Sequence, residues 1–162
     1  MKVLLVVAIA LPLAAQTKQS GTAKCAAPNP MHSLDVGDRP GHALTVAKGK
    51  CEWTKAIEME GLKGTTGEST ETGEVSGNTA RANGIFVGAM NNGDKYTVRY
   101  QSNTTMKDGK PVSQEGKWNY VSGTGKLRGL KGSGTLKGTA QADGSMIFEV
   151  EGEYSITPPA KK

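Results

Sequence analysis

Two histidines and two aspartates lie close together near the start of the chain and are residue types that bind metals. His32 and His42 are the only histidines, and Asp35 and Asp38 lie between them. Imidazole and carboxylate groups suit zinc or copper. Their spacing, however, matches no standard zinc signature. We therefore predict two solvated histidines in a proline-containing loop, with neither a metal site nor another cofactor.

Nucleophilic catalysis needs a serine or cysteine beside a base and an orienting group. The G-x-S-x-G pattern of serine hydrolases is absent, and Ser133 lies in a Gly-Ser-Gly sequence typical of turns. The only cysteines, Cys25 and Cys51, lack CxxC spacing. In an exported chain such a pair predicts one disulfide, and a redox or metal pair is the alternative. We assign no catalytic residue, and the sequence favours a non-enzymatic protein without deciding the point.

Glutamates that alternate along the predicted last strand could suggest the paired carboxylates of glycosidases. Glu149, Glu151 and Glu153 share one face of this strand, and Phe148 and Tyr154 are on the other face. An aromatic face makes the better core, so we expect the glutamates on the solvated exterior.

A glycine-rich segment, residues 123–138, is the most distinctive part of the chain. It is not a dinucleotide fingerprint, because Gly129 follows Gly123 and Gly125 one residue too late for G-x-G-x-x-G. The P-loop pattern is also absent. The segment predicts instead a single helical turn that closes one end of a barrel with Leu127 and Leu130.

This segment follows an aromatic strand in an arrangement that resembles the allene-oxide-cyclase/dirigent-type β-barrel group. The matching residues are Trp118, Tyr120, Gly123, Gly125, Leu127, Gly129, Gly132 and Gly134. Residues 112–156 also resemble small exported bacterial proteins of unknown function. The resemblance implies a barrel, and the cyclase and dirigent families hold hydrophobic substrates inside such barrels. None of their individual pocket residues can be matched to positions in this chain.

The elements that must position these residues are short strands. The chain has 22 glycines, and each glycine inside a helix would cost ~1 kcal/mol relative to alanine. Hairpin turns are predicted at Asn92-Gly93, Asp108-Gly109 and Asp143-Gly144. The formal net charge of +5 is spread along the chain in both signs. Nucleic-acid binders concentrate basic charge in one patch, so we predict no nucleic-acid partner.

The first fifteen residues combine Lys2, an apolar run and a small-residue exit at Ala14-Ala15. These are the parts of a secretory signal peptide, and the run is too short to span a bilayer. We predict export to the periplasm or the extracellular space, and a mature chain without an integral membrane segment.

The predicted fold is all-β: a small antiparallel barrel, mostly a meander, of about seven or eight strands, with a two-sheet sandwich as the alternative. We divide the chain into a signal peptide (1–15), an irregular N-terminal segment (16–42), the barrel (43–157) and a tail (158–162). Residues 61–67 are interpreted as a turn region. Residues 80–90 are interpreted as a strand buried on both faces at Ile85, Phe86, Val87, Ala89 and Met90.

The predicted function is to bind a small apolar or amphipathic ligand in the barrel, with oligomeric state left open. The residues expected to line the site are aromatic: Tyr96, Tyr100, Trp118, Tyr120 and Phe148. The alternative is an isomerase- or lyase-like enzyme that acts by steric guidance of a hydrophobic substrate. A cavity of ~300 Å³ or more would support a ligand site, and a solidly packed barrel would dismiss it.

Overall fold

A computed structural model describes residues 16–157. The predicted signal peptide, residues 1–15, and the predicted tail, residues 158–162, lie outside the described residues. Ten strands account for most of the described chain, and a single turn of 3-10 helix is found between the eighth and the ninth. No helix in the described part is long and apolar enough to cross a membrane.

The strands follow one another in the order β1 (Thr17–Cys25), β2 (Met31–Asp35), β3 (His42–Lys55), β4 (Glu58–Met59), β5 (Leu62–Ser76), β6 (Thr79–Met90), β7 (Lys95–Lys107), β8 (Lys110–Gly123), β9 (Leu130–Ala140) and β10 (Met146–Ile156). The 3-10 turn spans Gly125–Leu127.

Eight of these strands close into an antiparallel barrel. From β5 to β10 each strand pairs with the next, and β1 then joins β10 to β3, which pairs with β5. The two remaining strands are short additions: β2 extends the edge of β3, and β4 pairs with the start of β5. The predicted all-β meander barrel is therefore confirmed.

The prediction of an irregular segment over residues 16–42 is wrong, because the barrel already begins at Thr17. Strand β1 pairs along its whole length with β10, and β2 pairs with β3. The inward positions of β1 include Gln19, Gly21 and Ala23, which are buried although none is large and apolar. The alternation of inward and outward residues in β1 therefore gives no hydrophobic pattern in the sequence. It is an alternation of burial alone, which results from closure of the barrel.

The turns follow the expected backbone chemistry. Asp108 and Gly109 have φ values of 51° and 73°, as a type I′ hairpin requires. Gly93 and Gly144 also have positive φ values in their hairpins, but Asn92 and Asp143 do not, so the type I′ turn expected at Asn92-Gly93 is not formed. The turn region predicted for residues 61–67 is wrong, since the turn ends at Gly61 and β5 begins at Leu62.

One end of the barrel is closed by apolar side chains. Leu127 of the 3-10 turn is 0% exposed and Leu130 is 1% exposed, so the predicted plug is confirmed. Ile57, Met59 and Met90 pack in the same core cluster. The strand predicted to be buried on both faces is not, because Ile85 and Val87 are exposed on the outer face of β6.

His42 is buried at the start of β3, which corrects the prediction of a solvated loop histidine. Its Nδ1 lies 2.5 Å from Asp38 Oδ1, and its Nε2 lies 2.8 Å from Glu74 Oε1. Both partners are carboxylate oxygens, which accept, so both hydrogen bonds form together only when the two ring nitrogens are protonated and the imidazole is cationic. The bond to Asp38, and then that to Glu74, raises the pKa of His42 against the opposing effects of burial and of nearby Arg39. The other histidine, His32, lies exposed on β2.

Stability is therefore expected to fall as the pH rises past neutrality. A raised folded-state pKa means that the contribution of His42 is complete below the unfolded value of 6.5 and is lost as the pH rises through the folded value. Urea unfolding should show a lower midpoint at pH 9 than at pH 6, and His42→Gln should remove most of that difference. His32→Gln is the matched control and should leave the difference in place. An equal difference in both variants would contradict this role for His42.

Candidate ligand-binding cavity

The barrel holds a cavity of about 170 Å³ in its interior. All five aromatic residues predicted from the sequence line it: Tyr96, Tyr100, Trp118, Tyr120 and Phe148. Ala26 and Pro28, which are exposed in the connection after β1, also line the cavity and mark its mouth. The structure thus brings the predicted residues together around one space that is open to solvent.

The cavity exists because large rings lie opposite glycines across the strands. The directly paired positions are Tyr96 with Gly88, Tyr100 with Gly84, Trp118 with Gly134 and Phe148 with Gly138. A Cβ atom at Gly84 or Gly88 would overlap the ring opposite it. Each ring therefore occupies the space that a side chain would fill, and lies against the barrel wall. This arrangement leaves the middle of the barrel hollow.

The rings form a continuous aromatic wall. Phe86 and Tyr96 have centroids 6.1 Å apart, Tyr96 and Tyr120 are 5.9 Å apart, and Tyr120 and Trp118 are 5.0 Å apart. The last two pairs meet edge to face, an arrangement that aromatic quadrupoles favour.

Polar atoms are few, and most are bonded to one another. Trp53 Nε1 donates to the Tyr96 hydroxyl over 3.0 Å. The amide of Gln19 donates to the Tyr120 hydroxyl over 2.5 Å, and its own Oε1 is the one buried side-chain polar atom without a partner in residues 16–157. Burial is the main cause that raises the pKa of Tyr96 and of Tyr120. These hydroxyls therefore stay protonated at neutral pH.

A carboxylate lies among these rings. Glu71, half-buried on β5, lines the cavity and accepts a hydrogen bond of 2.7 Å from the Tyr100 hydroxyl. Burial first, and then the charge of Glu71, raise the pKa of Tyr100. Sequence reasoning missed Glu71 because a glutamate in a polar strand normally faces water. Its inward position follows from its register, since its partners Ala47 and Gly84 are both buried.

The glutamates of the last strand lie away from the cavity. Glu149 and Glu151 are exposed on the outer face of β10, and Glu153 is half-buried on that face, as predicted. Cys25 and Cys51 form the predicted disulfide, and both line the cavity near its mouth. In residues 16–157, no three side chains of the metal-binding types converge.

Comparison with solved structures identifies the architecture. The pterocarpan synthase dirigent protein GePTS1 superposes with a TM-score of 0.50 at 13% sequence identity, over 95% of this chain and 98% of that one. The barrel has a dirigent-like fold. A conserved protein of unknown function from Rhodopseudomonas palustris, RPA1785, also superposes on this chain with a TM-score of 0.50 at 11% identity, over 86% of this chain and 98% of the other. No protein-family model and no curated protein sequence matches the chain.

The size of the cavity limits what it can hold. At about 170 Å³ it is smaller than the ~300 Å³ expected of a typical ligand pocket. It is close to the ~150 Å³ engineered apolar cavity that binds benzene. The space therefore fits a molecule built around a single ring, and it is too small for a long lipid.

Proposed function

We propose that this protein is exported and binds one small, ring-sized apolar or amphipathic ligand inside its barrel. The observation that carries the proposal is the glycine-backed aromatic wall. A protein that needed these rings only for packing would let them meet in the middle of the barrel. Here they lie against glycines and leave a lined space with a mouth, which is the arrangement of a binding site.

Export is supported by two features. The Cys25–Cys51 disulfide fits a protein outside the cytoplasm, where thiols are not kept reduced. The signal-type sequence of residues 1–15 points to the same location. Mass spectrometry of the secreted protein tests this directly: an N-terminus at Gln16 supports export, and an uncut chain in the cytoplasm contradicts it.

Binding can be measured from the protein's own fluorescence, because both of its tryptophans, Trp53 and Trp118, line the cavity. Two ring-sized probes are suitable: tert-butylbenzene and its charged isostere trimethylphenylammonium. We expect at least one of them to bind saturably, with a 1:1 stoichiometry, and to change the emission. Failure of both probes to bind would overturn the proposed function.

A filled cavity should abolish this binding. Val98 is buried among the lining residues, so Val98→Phe adds a ring where the ligand would lie. We expect affinity for the binding probe to fall by more than tenfold. Val87→Phe makes the same change on the exposed outer face of β6 and should leave affinity unchanged. Equal binding by the two variants would place the probe outside the barrel.

A second candidate is an isomerase- or lyase-like enzyme that guides a hydrophobic substrate. The dirigent protein of similar fold is named a synthase, and the Tyr100–Glu71 pair places a proton donor and an acceptor in the cavity. The candidates differ in the fate of the bound molecule. A molecule that co-purifies and returns unchanged after incubation supports binding, whereas conversion that Tyr100→Phe slows supports the enzyme.

A further inference from the structure

The charge inside the cavity is opposite in sign to that of the whole protein. Among the described residues that line the cavity, Glu71 is the only one with a charged side chain. The chain as a whole has a formal net charge of +5. Two lysines of the adjacent strand β3, Lys48 and Lys50, pair in register with Thr70 and Glu68. Lys48 forms an ion pair with Glu68, and no ion pair between residues 16 and 157 includes Glu71.

A carboxylate in this position lacks a counter-charge. Burying a charge costs free energy unless it is paired or fully hydrogen-bonded. The Tyr100 hydroxyl engages one oxygen, Oε2, and supplies a single neutral hydrogen bond. A hydrophobic neutral ligand that filled the cavity would displace water from Glu71 without supplying a counter-charge or a hydrogen bond to the carboxylate. An anionic ligand would meet direct repulsion.

The aromatic wall favours the same sign of ligand charge as the carboxylate does. Seven aromatic side chains surround the cavity: Trp53, Phe86, Tyr96, Tyr100, Trp118, Tyr120 and Phe148. The face of an aromatic ring carries negative electrostatic potential, and a desolvated ammonium group held over such faces is attracted to them. Rings combined with a nearby carboxylate form the kind of cage that recognises quaternary and other alkylated ammonium groups.

We propose that the ligand of the cavity is a small organic cation, an alkylated or aromatic amine whose ammonium group pairs with Glu71 and lies among the aromatic rings. The inference rests on the proposed function, because it names the chemical class that the same cavity takes. The cation supplies the missing counter-charge, and its apolar body fills the ring-lined space.

The test compares the two isosteric probes, which differ in a single charge. Trimethylphenylammonium is expected to bind the native protein at least tenfold more tightly than tert-butylbenzene, in titrations at moderate salt. Glu71→Gln keeps the size of the side chain and an acceptor for Tyr100. This substitution should weaken the binding of trimethylphenylammonium by roughly tenfold. The binding of tert-butylbenzene should stay unchanged or become stronger.

Glu68→Gln is the matched control, because it removes the same charge from the same strand at an exposed position that pairs with Lys48. It should leave both affinities unchanged. Near-UV circular dichroism checks that each variant retains the native packing, and the comparison of probes on the native protein stands even if Glu71→Gln does not fold.

The outcomes separate the two proposals. If tert-butylbenzene binds the native protein as tightly as trimethylphenylammonium or more tightly, the proposal of a cationic ligand is wrong, and the proposed ligand site still stands. A loss of trimethylphenylammonium affinity in Glu68→Gln as large as that in Glu71→Gln also overturns the proposal of a cationic ligand, because the attraction would then be a general surface effect. If neither probe binds the native protein, both the proposed function and the proposal of a cationic ligand are wrong.

Discussion

Gly134→Ala is expected to lower the free energy of unfolding by about 3 kcal/mol, at the upper end of the usual cost of overpacking. A Cβ atom at this position would overlap the carbonyl oxygen of Glu151 on β10 and lie 2.5 Å from Cζ2 of Trp118. The first neighbour is backbone and cannot turn aside. The second is a buried ring that also lies against Gly152, so it has little room to move.

Urea unfolding measures this effect, with Gly49→Ala as the matched control. Gly49 is also a buried strand glycine on the inner face, but only the hydroxyl of Ser69 would approach its added methyl within 4 Å. That hydroxyl can rotate away, so we expect a loss below ~1 kcal/mol. Equal losses in the two variants would show that Gly134 matters only through strand propensity, and that Trp118 does not depend on a glycine opposite it.

This dependence on paired glycines explains which parts of the cavity could be predicted. Tyr96, Tyr100, Trp118, Tyr120 and Phe148 were identified because aromatic residues on one strand face predict an interior. That the interior is hollow depends on cross-strand register, which pairs Tyr100 with Gly84 and Trp118 with Gly134. A single sequence shows the many glycines but not which ring each one faces.

The position of a residue in the closed sheet also explains the three main errors of the sequence-based prediction. The first barrel strand was missed because its inward residues include Gln19, Gly21 and Ala23, and burial there comes from the closure of the barrel. Glu71 was missed because hydrophobic patterning assigns charged residues to the outside. Conversely, Ile85 and Val87 were predicted to be buried and are exposed on β6. In each case the neighbours across the sheet decide burial, and local hydrophobicity does not.

The turns and the plug were predictable because their signals are local. Asp108-Gly109 needs positive φ angles at both positions, and that requirement is met within four residues of chain. The glycines around Leu127 likewise indicate a sharp turn, and Gly129 adopts a φ of 81° directly before β9. Features that depend on short stretches of backbone therefore transfer from sequence to structure more readily than contacts between strands.

Closure of the barrel depends on its shortest seam, between β1 and β3. There β1 pairs with β3 only from Thr22 to Cys25, and the register shifts within that stretch. Along its other edge the same strand pairs with β10 from Thr17 to Cys25. Cys25 and Cys51 are opposite each other at the end of the weak seam and join it covalently. The disulfide therefore holds the seam closed where the hydrogen-bonded ladder is shortest.

Removal of the disulfide is expected to cost about 3 kcal/mol of unfolding free energy, because the bond restricts a loop of 26 residues in the unfolded chain. The urea concentration at the midpoint of unfolding should fall by similar amounts in the Cys25→Ser/Cys51→Ser variant and in the reduced native protein. Hydrogen exchange locates the weakness: the amide of Ala26, which donates to Lys50 across the seam, should lose more protection than amides between β7 and β8. A loss of protection spread evenly over all strands would show that the disulfide acts only on the unfolded chain and does not hold this seam closed.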